Sequence, residues 1–547
     1  MKKTVIAIGL DSADPVLLDT WTGEGQLPNI ARLREQGTYC PLQGPSLYLS
    51  EQAWTLVTTG CEAGTTGYWS RWKFNPRLYE LDDTGAYLFV DYPPFYALGP
   101  GYRCAVFDVP QTRLCENVDG IQVLAWGARS ARTESASAPS ELLDQLIQKH
   151  GRHPAYERDH ASYWNPVAVA WLERALGKGI ERRAAICEDL LRRESWDFFF
   201  TAFGETHSAG HFFWHLSQDH PMRQWRKISG DPLLRVFKAV DRAIGRILAI
   251  RPDADIVLFS PEGMQANSVD LPSTVFLAEF LYRFSFGSQG GLARGSGGLP
   301  PPPIFLPQAL GWHREIYALR ADTHPVRRRL RRWIPMEVAA CWERRSSPGP
   351  GPAYPNEFGS LFHQPPMWYS PLWREMKCFA LPSIAHGYIR INVRGREKEG
   401  IVLPSEYDFF CDELSGHLKA LRDARTGKPL IAEIVRTRQD PLAGDSNFPD
   451  PDLIVFFEPS AVDVVDSPIF GRIGPIPYAR TGGHANRGFA IVKAGGYRAG
   501  SMLAQRHVRD LAPTILTLIG ARLPAYMEGA PLSSKPASRS LDAAVLA

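Results

Sequence analysis

The sequence predicts an α/β fold built on an open, largely parallel sheet, and three observations predict it. Short, continuous apolar runs, TVIAIGL at 4–10, WDFFFTAF at 196–203 and DIVLF at 255–259, have the composition of strands buried on both faces. Long amphipathic segments at 165–192 and 232–250 lie between and around them, with the spacing of helices that cover a sheet. Polar residues of ligand type follow each run: Asp11 after the first, Glu205, His207 and His211 after the second, Ser260 and Glu262 after the third. Ligands in open α/β sheets gather outside the carboxyl ends of the strands, so these residues are placed by topology as well as by chemistry.

In chain order, PNIARLREQ at 28–36 reads as a helix begun by proline, with Ile30, Ala31 and Leu33 inward and Gly37 as its stop. Ser50 precedes EQAWTLVTTG, whose apolar face is Ala53, Trp54, Leu56 and Val57. The Ser50 hydroxyl then lies at a helix N-terminus, where free N–H groups bind a phosphoryl or sulfuryl oxygen or where a serine simply caps the helix. Trp69 and Trp72 form either a substrate wall or core. YRCAVFDV at 102–109 is a further strand with Asp108 at its exit, and 139–151 is a helix. In the helix of 165–192, Gly177 and Gly179 predict a break.

The four-residue spacing of His207 and His211 puts both imidazoles on one face of a helical turn, within reach of a shared metal, and His215 and His220 continue the series. From about 272 to 374 the chain turns glycine- and proline-rich, with arginines at 327–329 and 331–332, and reads as an insertion or lid. Two strands joined through HG follow within 377–394; alternation in GYIRINVRG makes the second half-exposed and offers Arg390, with Asn392 and Arg394 or Arg396, to a phosphate or carboxylate. A helix at 406–422, a strand at 428–434, a core strand at 451–459, a glycine-rich loop carrying His484, a late strand in RGFAIVKAGG and a helix at 508–519 complete the pattern.

At 547 residues the chain exceeds the size at which one core stops growing, so an inserted subdomain or a second domain is expected. Lys and Arg total 61 against 58 Asp and Glu, a balance that argues against bulk nucleic acid as partner. No stretch reaches the roughly 18 apolar residues of a spanning helix. The first strand starts too early for a secretory leader, and the eight cysteines lack C-x-x-C spacing; both point to a cytoplasmic protein with reduced thiols.

The ordered set IGLDSADP, Ser50 ten residues before the Gly60 of LVTTG, HSAGH, SPEGM, the His484 loop and RDLAPTILTLIG with LPAYMEGAPL resembles the alkaline phosphatase superfamily, in particular its type I phosphodiesterase and nucleotide pyrophosphatase branch. The resemblance covers about 1–270 and 375–532. It implies an alkaline-phosphatase-like three-layer α/β/α sandwich with an inserted cap, divided as 1–271 and 441–532 for the catalytic domain, 272–374 for the lid, 375–440 for a cap-like segment and 533–547 for a tail. Ser50 then matches the nucleophile, with Glu205 and Arg390 as further catalytic candidates. Asp11, Ser50, His207, His211, Glu262 and His484 are the implied metal set. Where the family has SDHGM, this chain has SPEGM, and Pro261 has no side-chain ligand. One or two divalent ions are therefore expected, Zn or Mn at the histidines and Mg at a weaker oxygen site.

The activity so implied is metal-dependent hydrolysis of a small anionic phosphate or sulfate ester through a seryl intermediate, with a homodimer compatible. The alternatives are a phosphoryl or sulfuryl transferase acting on a specific acceptor, or a degraded site retained for binding.

Overall fold

The computed structural model describes residues 3–127, 133–156, 158, 166–225, 228–287, 291, 292, 295, 297–304, 312, 364–444 and 447–532. The arginines at 327–329 and 331–332 and the tail of 533–547 lie outside the described residues, as does most of the expected lid.

The apolar run after Thr4 forms β1 (Val5–Leu10), buried at every position. In the ten-stranded sheet around it, β2 is Thr38–Gln43, β3 Cys104–Phe107, β4 Gly120–Leu124, β5 Ala136–Ala138, β6 Phe198–Phe203, β7 Asp255–Ser260, β8 Gly488–Lys493 and β9 Ser501–Met502. The order is β9-β2-β8-β7-β1-β6-β3-β4-β5, and Arg506–His507 also pairs with β2. β1 pairs in parallel with both β6 and β7, so Asp11, Gly204 and Pro261 leave the sheet side by side. The sheet is mixed: β8 runs antiparallel between β7 and β2, and β5 antiparallel at the far edge.

Strand alternation sends Ile6, Ile8 and Leu10 to one face and Val5 and Ala7 to the other. The first group joins an apolar cluster with α1 (Pro15–Gly23), α2 (Pro28–Gln36), α4 (Leu142–His150), α5 (Pro166–Arg193), α6 (Glu205–Ser217) and α7 (Pro232–Ile250). The second joins Trp54, Leu56 and Val57 of α3 (Leu49–Thr59) and Leu511, Ile515 and Ile519 of α10 (Leu511–Ile519). Helices therefore cover both faces of the mixed α/β sheet.

A third cluster surrounds a four-stranded antiparallel sheet of Cys378–Leu381, Gly387–Ile391, Leu453–Phe457 and Ile431–Arg436, in that order, with α8 (Leu277–Ser285) and α9 (Tyr407–Lys419) packed on it. The expected core strand at 451–459 belongs to this small sheet. The lid expected from 272 onward opens on buried helix, since Leu277–Arg283 are all buried in the same cluster.

The break expected at Gly177 and Gly179 does not occur: α5 runs unbroken through both. Gly179 is there for packing, because a methyl group at its position would sit 1.8 Å from Nε2 of the buried His153. In a free helix Gly→Ala gains about 1 kcal/mol, but overpacking a core costs about 1–3 kcal/mol. Gly179→Ala is therefore expected to lower, not raise, the urea midpoint of unfolding; a higher midpoint would contradict the packing of His153.

Candidate metal centre and surrounding site

The site is assembled at the exits of β1, β6 and β7. Asp11 leaves β1 with its Oδ1 accepting from the indole N–H of Trp54 at 2.9 Å and its carbonyl accepting from Thr206 Oγ1 at 2.7 Å. Ser12, the next residue, has φ 57°, the left-handed conformation that a non-glycine residue enters only when its surroundings enforce it. Ser260, at the end of β7, accepts from Ala13 N at 3.0 Å and lies 2.5 Å from the Leu10 carbonyl, so it pins two strand exits together.

The HSAGH segment folds as part of α6, which places His207 and His211 one turn apart with their Nε2 atoms 2.9 Å from each other. His484 arrives from the strand Gly482–Ala485, which pairs antiparallel with Gly263–Ala266 just after β7. The strand and α6 touch backbone to backbone: a methyl group at Gly482 would lie 2.0 Å from the Gly210 carbonyl oxygen. That approach lets His211 Nδ1–H donate to the Gly482 carbonyl at 2.7 Å. A carbonyl only accepts, so Nδ1 holds the proton and Nε2 keeps its lone pair. The ligand atoms of His207, His211 and His484 all lie within 4.8 Å of one another, and among the described residues this is the group that closes to metal-holding distance. The donor set fits a divalent ion that accepts imidazole.

Glu262, expected as a metal ligand, stands behind His484 instead. Its Oε1 accepts from Ser12 Oγ at 2.8 Å and is 3.0 Å from His484 Nδ1. This is the carboxylate–imidazole pairing that sets the tautomer and direction of a ligating histidine. Ser50 has its backbone in the first turn of α3, two positions after Tyr48 at φ 54°; its side chain lies outside the described residues. The next residue, Glu51, is buried and accepts from Ile384 N at 3.2 Å, which ties the start of α3 to the turn between two strands of the small sheet. Nothing in the local sequence marks Glu51, because its partner is 333 residues away.

Two expected catalytic residues are placed elsewhere. Glu205 is fully buried and takes Arg183 Nε at 3.0 Å and His153 Nε2 at 3.2 Å, while Arg183 also binds Asp108 at 2.7 Å. Burial alone would raise the Glu205 pKa, but the Arg183 charge and His153 overcome it and bring it from 4.5 down to about 2. Arg390 is likewise engaged, with Nε on Glu397 at 2.7 Å and NH1 on the Asp450 carbonyl. The expected half-exposed strand is central in the small sheet and buried throughout, which is why Arg390 turns inward; its guanidinium lies over the ring of Phe74. Asn392 and Arg396 are also tied down, to Tyr79 and Asp452, and Arg394 is exposed. His215 and His220 fall outside the triad: burial pushes them down to about 4 and about 3, and His215 Nδ1 faces Thr481 Oγ1 at 3.0 Å.

One residue absent from the sequence-based set does reach the centre. Arg480 NH1 lies 2.7 Å from His211 Nε2, while its Nε and NH2 form a two-pronged pair with Asp270 at 2.5 and 3.0 Å. Asp270 and His484 both line a cavity of about 250 Å³, with Ser46, Leu49, His386 and Phe456 among its other walls.

The type I phosphodiesterase / nucleotide pyrophosphatase family matches residues 5–296, more than half of the chain, and the chain belongs to that family. Among solved structures, phosphonoacetate hydrolase from Sinorhizobium meliloti 1021 in complex with phosphonoformate is similar at 12% identity over 95% of this chain and 96% of that one, with a TM-score of 0.46. Murine ectonucleotide pyrophosphatase / phosphodiesterase 5 is similar at 10% identity over 96% of both chains, TM-score 0.47. A mutant of the alkaline phosphatase PafA follows at 10% identity over 97% of this chain and 98% of that one, TM-score 0.49. Comparison with curated proteins finds no match. Family and histidine cluster together define a phosphoesterase-type hydrolase with a candidate metal centre.

Two outcomes follow from these placements. Glu262→Gln keeps volume but removes the charge behind His484, and is expected to weaken divalent metal binding by about 10- to 100-fold in a chelator competition. Glu205→Gln breaks a buried pair and is expected to cost about 3–5 kcal/mol of stability near neutral pH, read from denaturant unfolding. Because the folded-state pKa of Glu205 is depressed, its contribution is present above the ordinary value of 4.5 that holds in the unfolded chain and is lost as pH falls toward about 2. The parent should therefore lose stability across that window more steeply than the variant.

Proposed function

We propose that the protein is a metal-dependent phosphoric ester hydrolase, acting on small phosphodiesters or phosphomonoesters through Ser50. The observation that carries this reading is the convergence of His207, His211 and His484, with Glu262 orienting the third, inside a chain of the type I phosphodiesterase family. Three imidazoles suit zinc or manganese and leave a coordination position for substrate. A bound ion supplies Lewis acidity that polarises the transferred phosphoryl group. With Glu262 engaged by His484 and Ser12, and Pro261 without a ligand, one firmly held ion is the stoichiometry proposed. A weaker magnesium position at Asp11 and Ser50 would have to form without Glu262.

The chain's own part is positional. Ser50, in the first turn of α3, would form a bond from its Oγ to phosphorus as the ester's bridging oxygen departs, the hydroxyl proton leaving with that oxygen as the free alcohol, and the free N–H groups of the turn would face the developing negative charge. Water then cleaves the phosphoseryl bond and returns the hydroxyl. Asp11 is held in place by Trp54 beside the same helix. The small sheet serves as a cap over a three-layer catalytic body, its turn at Ile384 docked on Glu51. Cavity walls from Ser46 and Leu49 on one side and His386 and Phe456 on the other enclose the substrate.

We also place the protein in the cytoplasm. The described cysteines are all free, and burial pushes Cys40, Cys61, Cys104 and Cys187 up to about 12, as befits thiols kept for packing. Among the described residues no helix is long and apolar enough to cross a membrane.

One observation favours the transferase reading: the residues that would hold a second ion are gone at Pro261 and diverted at Glu262. A single experiment separates the two. Initial rates on a panel of aryl phosphate, phosphodiester and sulfate esters, with zinc, manganese or magnesium titrated in, are expected to show metal-dependent hydrolysis that Ser50→Ala abolishes without changing the unfolding midpoint. Parental rates in Ser50→Ala would exclude the seryl intermediate. Ester cleavage only on addition of an alcohol or amine acceptor would establish the transferase.

A further inference from the structure

Arg480 occupies an unusual place for a cation. Its NH1 donates to the one lone pair that His211 has left after giving its Nδ1 proton to Gly482, and that lone pair is the atom His211 would offer to a metal. His207 Nε2 also lies 2.9 Å from that atom, and a lone pair committed to a metal ion is no longer open to a hydrogen bond from a donor. The guanidinium is also not free to leave, because Asp270 grips Nε and NH2 from the other side. Burial works against the Asp270 charge, but Arg480 holds that carboxyl below its usual range, so the pair stays ionic. About a fifth of the Arg480 side chain remains exposed.

When His211 gives its lone pair to an ion, NH1 loses its acceptor while Asp270 keeps the guanidinium aimed at the centre. A guanidinium N–H left without an acceptor in a half-buried place is costly, and an anionic oxygen bound beside the histidines removes the cost. We propose that Arg480 is a substrate-binding residue that recognises the oxyanion of the ester, and that its donor is released for this task by occupation of the histidine triad. The ligand class is a tetrahedral oxyanion with oxygens to spare for both the ion and the planar NH1 edge: a phosphomonoester, or a phosphodiester or sulfate ester less tightly held because each carries a single negative charge. The inference rests on the hydrolase reading for its substrate, though not for its test. No local pattern announces it, since Arg480 and His211 are 269 positions apart.

The test uses the full chain and two probes, Zn²⁺ in a chelator competition and inorganic phosphate by calorimetry on the zinc-loaded protein. Removing Arg480 is expected to move the two affinities in opposite directions. Arg480→Gln should bind Zn²⁺ at least threefold more tightly, because a competitor for the His211 lone pair and a nearby positive charge are gone. It should bind phosphate at least tenfold more weakly. Arg480→Lys, which keeps the charge but loses the two-pronged grip on Asp270, should fall between, and it carries the test if the glutamine variant does not fold. Asp270→Asn should weaken phosphate binding with Arg480 itself intact. A merely structural Arg480 would weaken both affinities together, and that result overturns the proposal. So does unchanged phosphate affinity in Arg480→Gln, or no phosphate binding by the zinc-loaded parent. If opposite shifts are found while no ester is cleaved, Arg480 stands and the hydrolase reading falls. If esters are cleaved equally by parent and Arg480→Gln with equal phosphate affinity, the hydrolase reading stands and Arg480 does not.

Discussion

The candidate centre depends on one backbone approach, the contact of Gly482 with the Gly210 turn of α6. It sets the distance between a helix that follows β6 and a strand that follows the small sheet, and it supplies the carbonyl that fixes the His211 tautomer. Any side chain larger than hydrogen at 482 would enter the space of the Gly210 carbonyl, so helix and strand would part and His484 would retreat from the other two imidazoles. A metal site built from two segments is only as precise as the packing between them. Here that precision comes from two glycines and from hydrogen bonds across the contact, His211 Nδ1 to the Gly482 carbonyl and Thr481 N to the His211 carbonyl among them, and the ligand atoms meet within 4.8 Å as a result.

Around this contact, buried charge is partitioned by partner. Glu262 is committed to His484 and Ser12, Glu205 to Arg183 and His153, Asp452 to Arg396, and Asp270 to Arg480. A buried carboxylate without a partner is costly, so each of these acids is spoken for before any ligand arrives. The consequence for chemistry is that, among the described residues, the three imidazoles are the groups that bring ligand atoms together at the centre. The residues at the β6 exit illustrate the division. Glu205 faces back toward α5 to neutralise Arg183, whereas His207, two positions on, faces the metal centre.

The small sheet contributes more than cover. Its turn at Ile384 rests on Glu51, its strand Leu453–Phe457 ends in residues that wall the cavity beside His484, and Tyr48 stacks on Tyr388 with ring centroids 4.2 Å apart. The left-handed Tyr48 is thereby clamped from above, which gives a physical reason for a bulky residue to hold φ 54° just before the helix that carries Ser50. The body of the ten-stranded sheet and the small sheet thus meet at the head of α3.

Local pattern by itself determined the elements and the direction of the site. The helices at 28–36 and 232–250, the strand beginning after Thr4 and the pairing of His207 with His211 on one helical face all follow from periodicity and spacing over a few turns of chain. The resemblance carried by the ordered motifs added His484, which no spacing rule connects to His211 across 273 positions. What only the tertiary structure decided is which way each polar side chain turns once it reaches the strand ends. Glu205, Glu262 and Arg390 are all of the residue types that metal and phosphate chemistry uses, and each is consumed by a partner: Glu205 by Arg183 and Glu262 by His484 from separate segments, and Arg390 by the nearby Glu397 and by the Asp450 carbonyl. Arg480 and Glu51 went unmarked for the same reason in reverse. Periodicity reports the face on which a residue lies; the partner it meets there is set by how separate segments pack, and for a buried charge the partner decides the role.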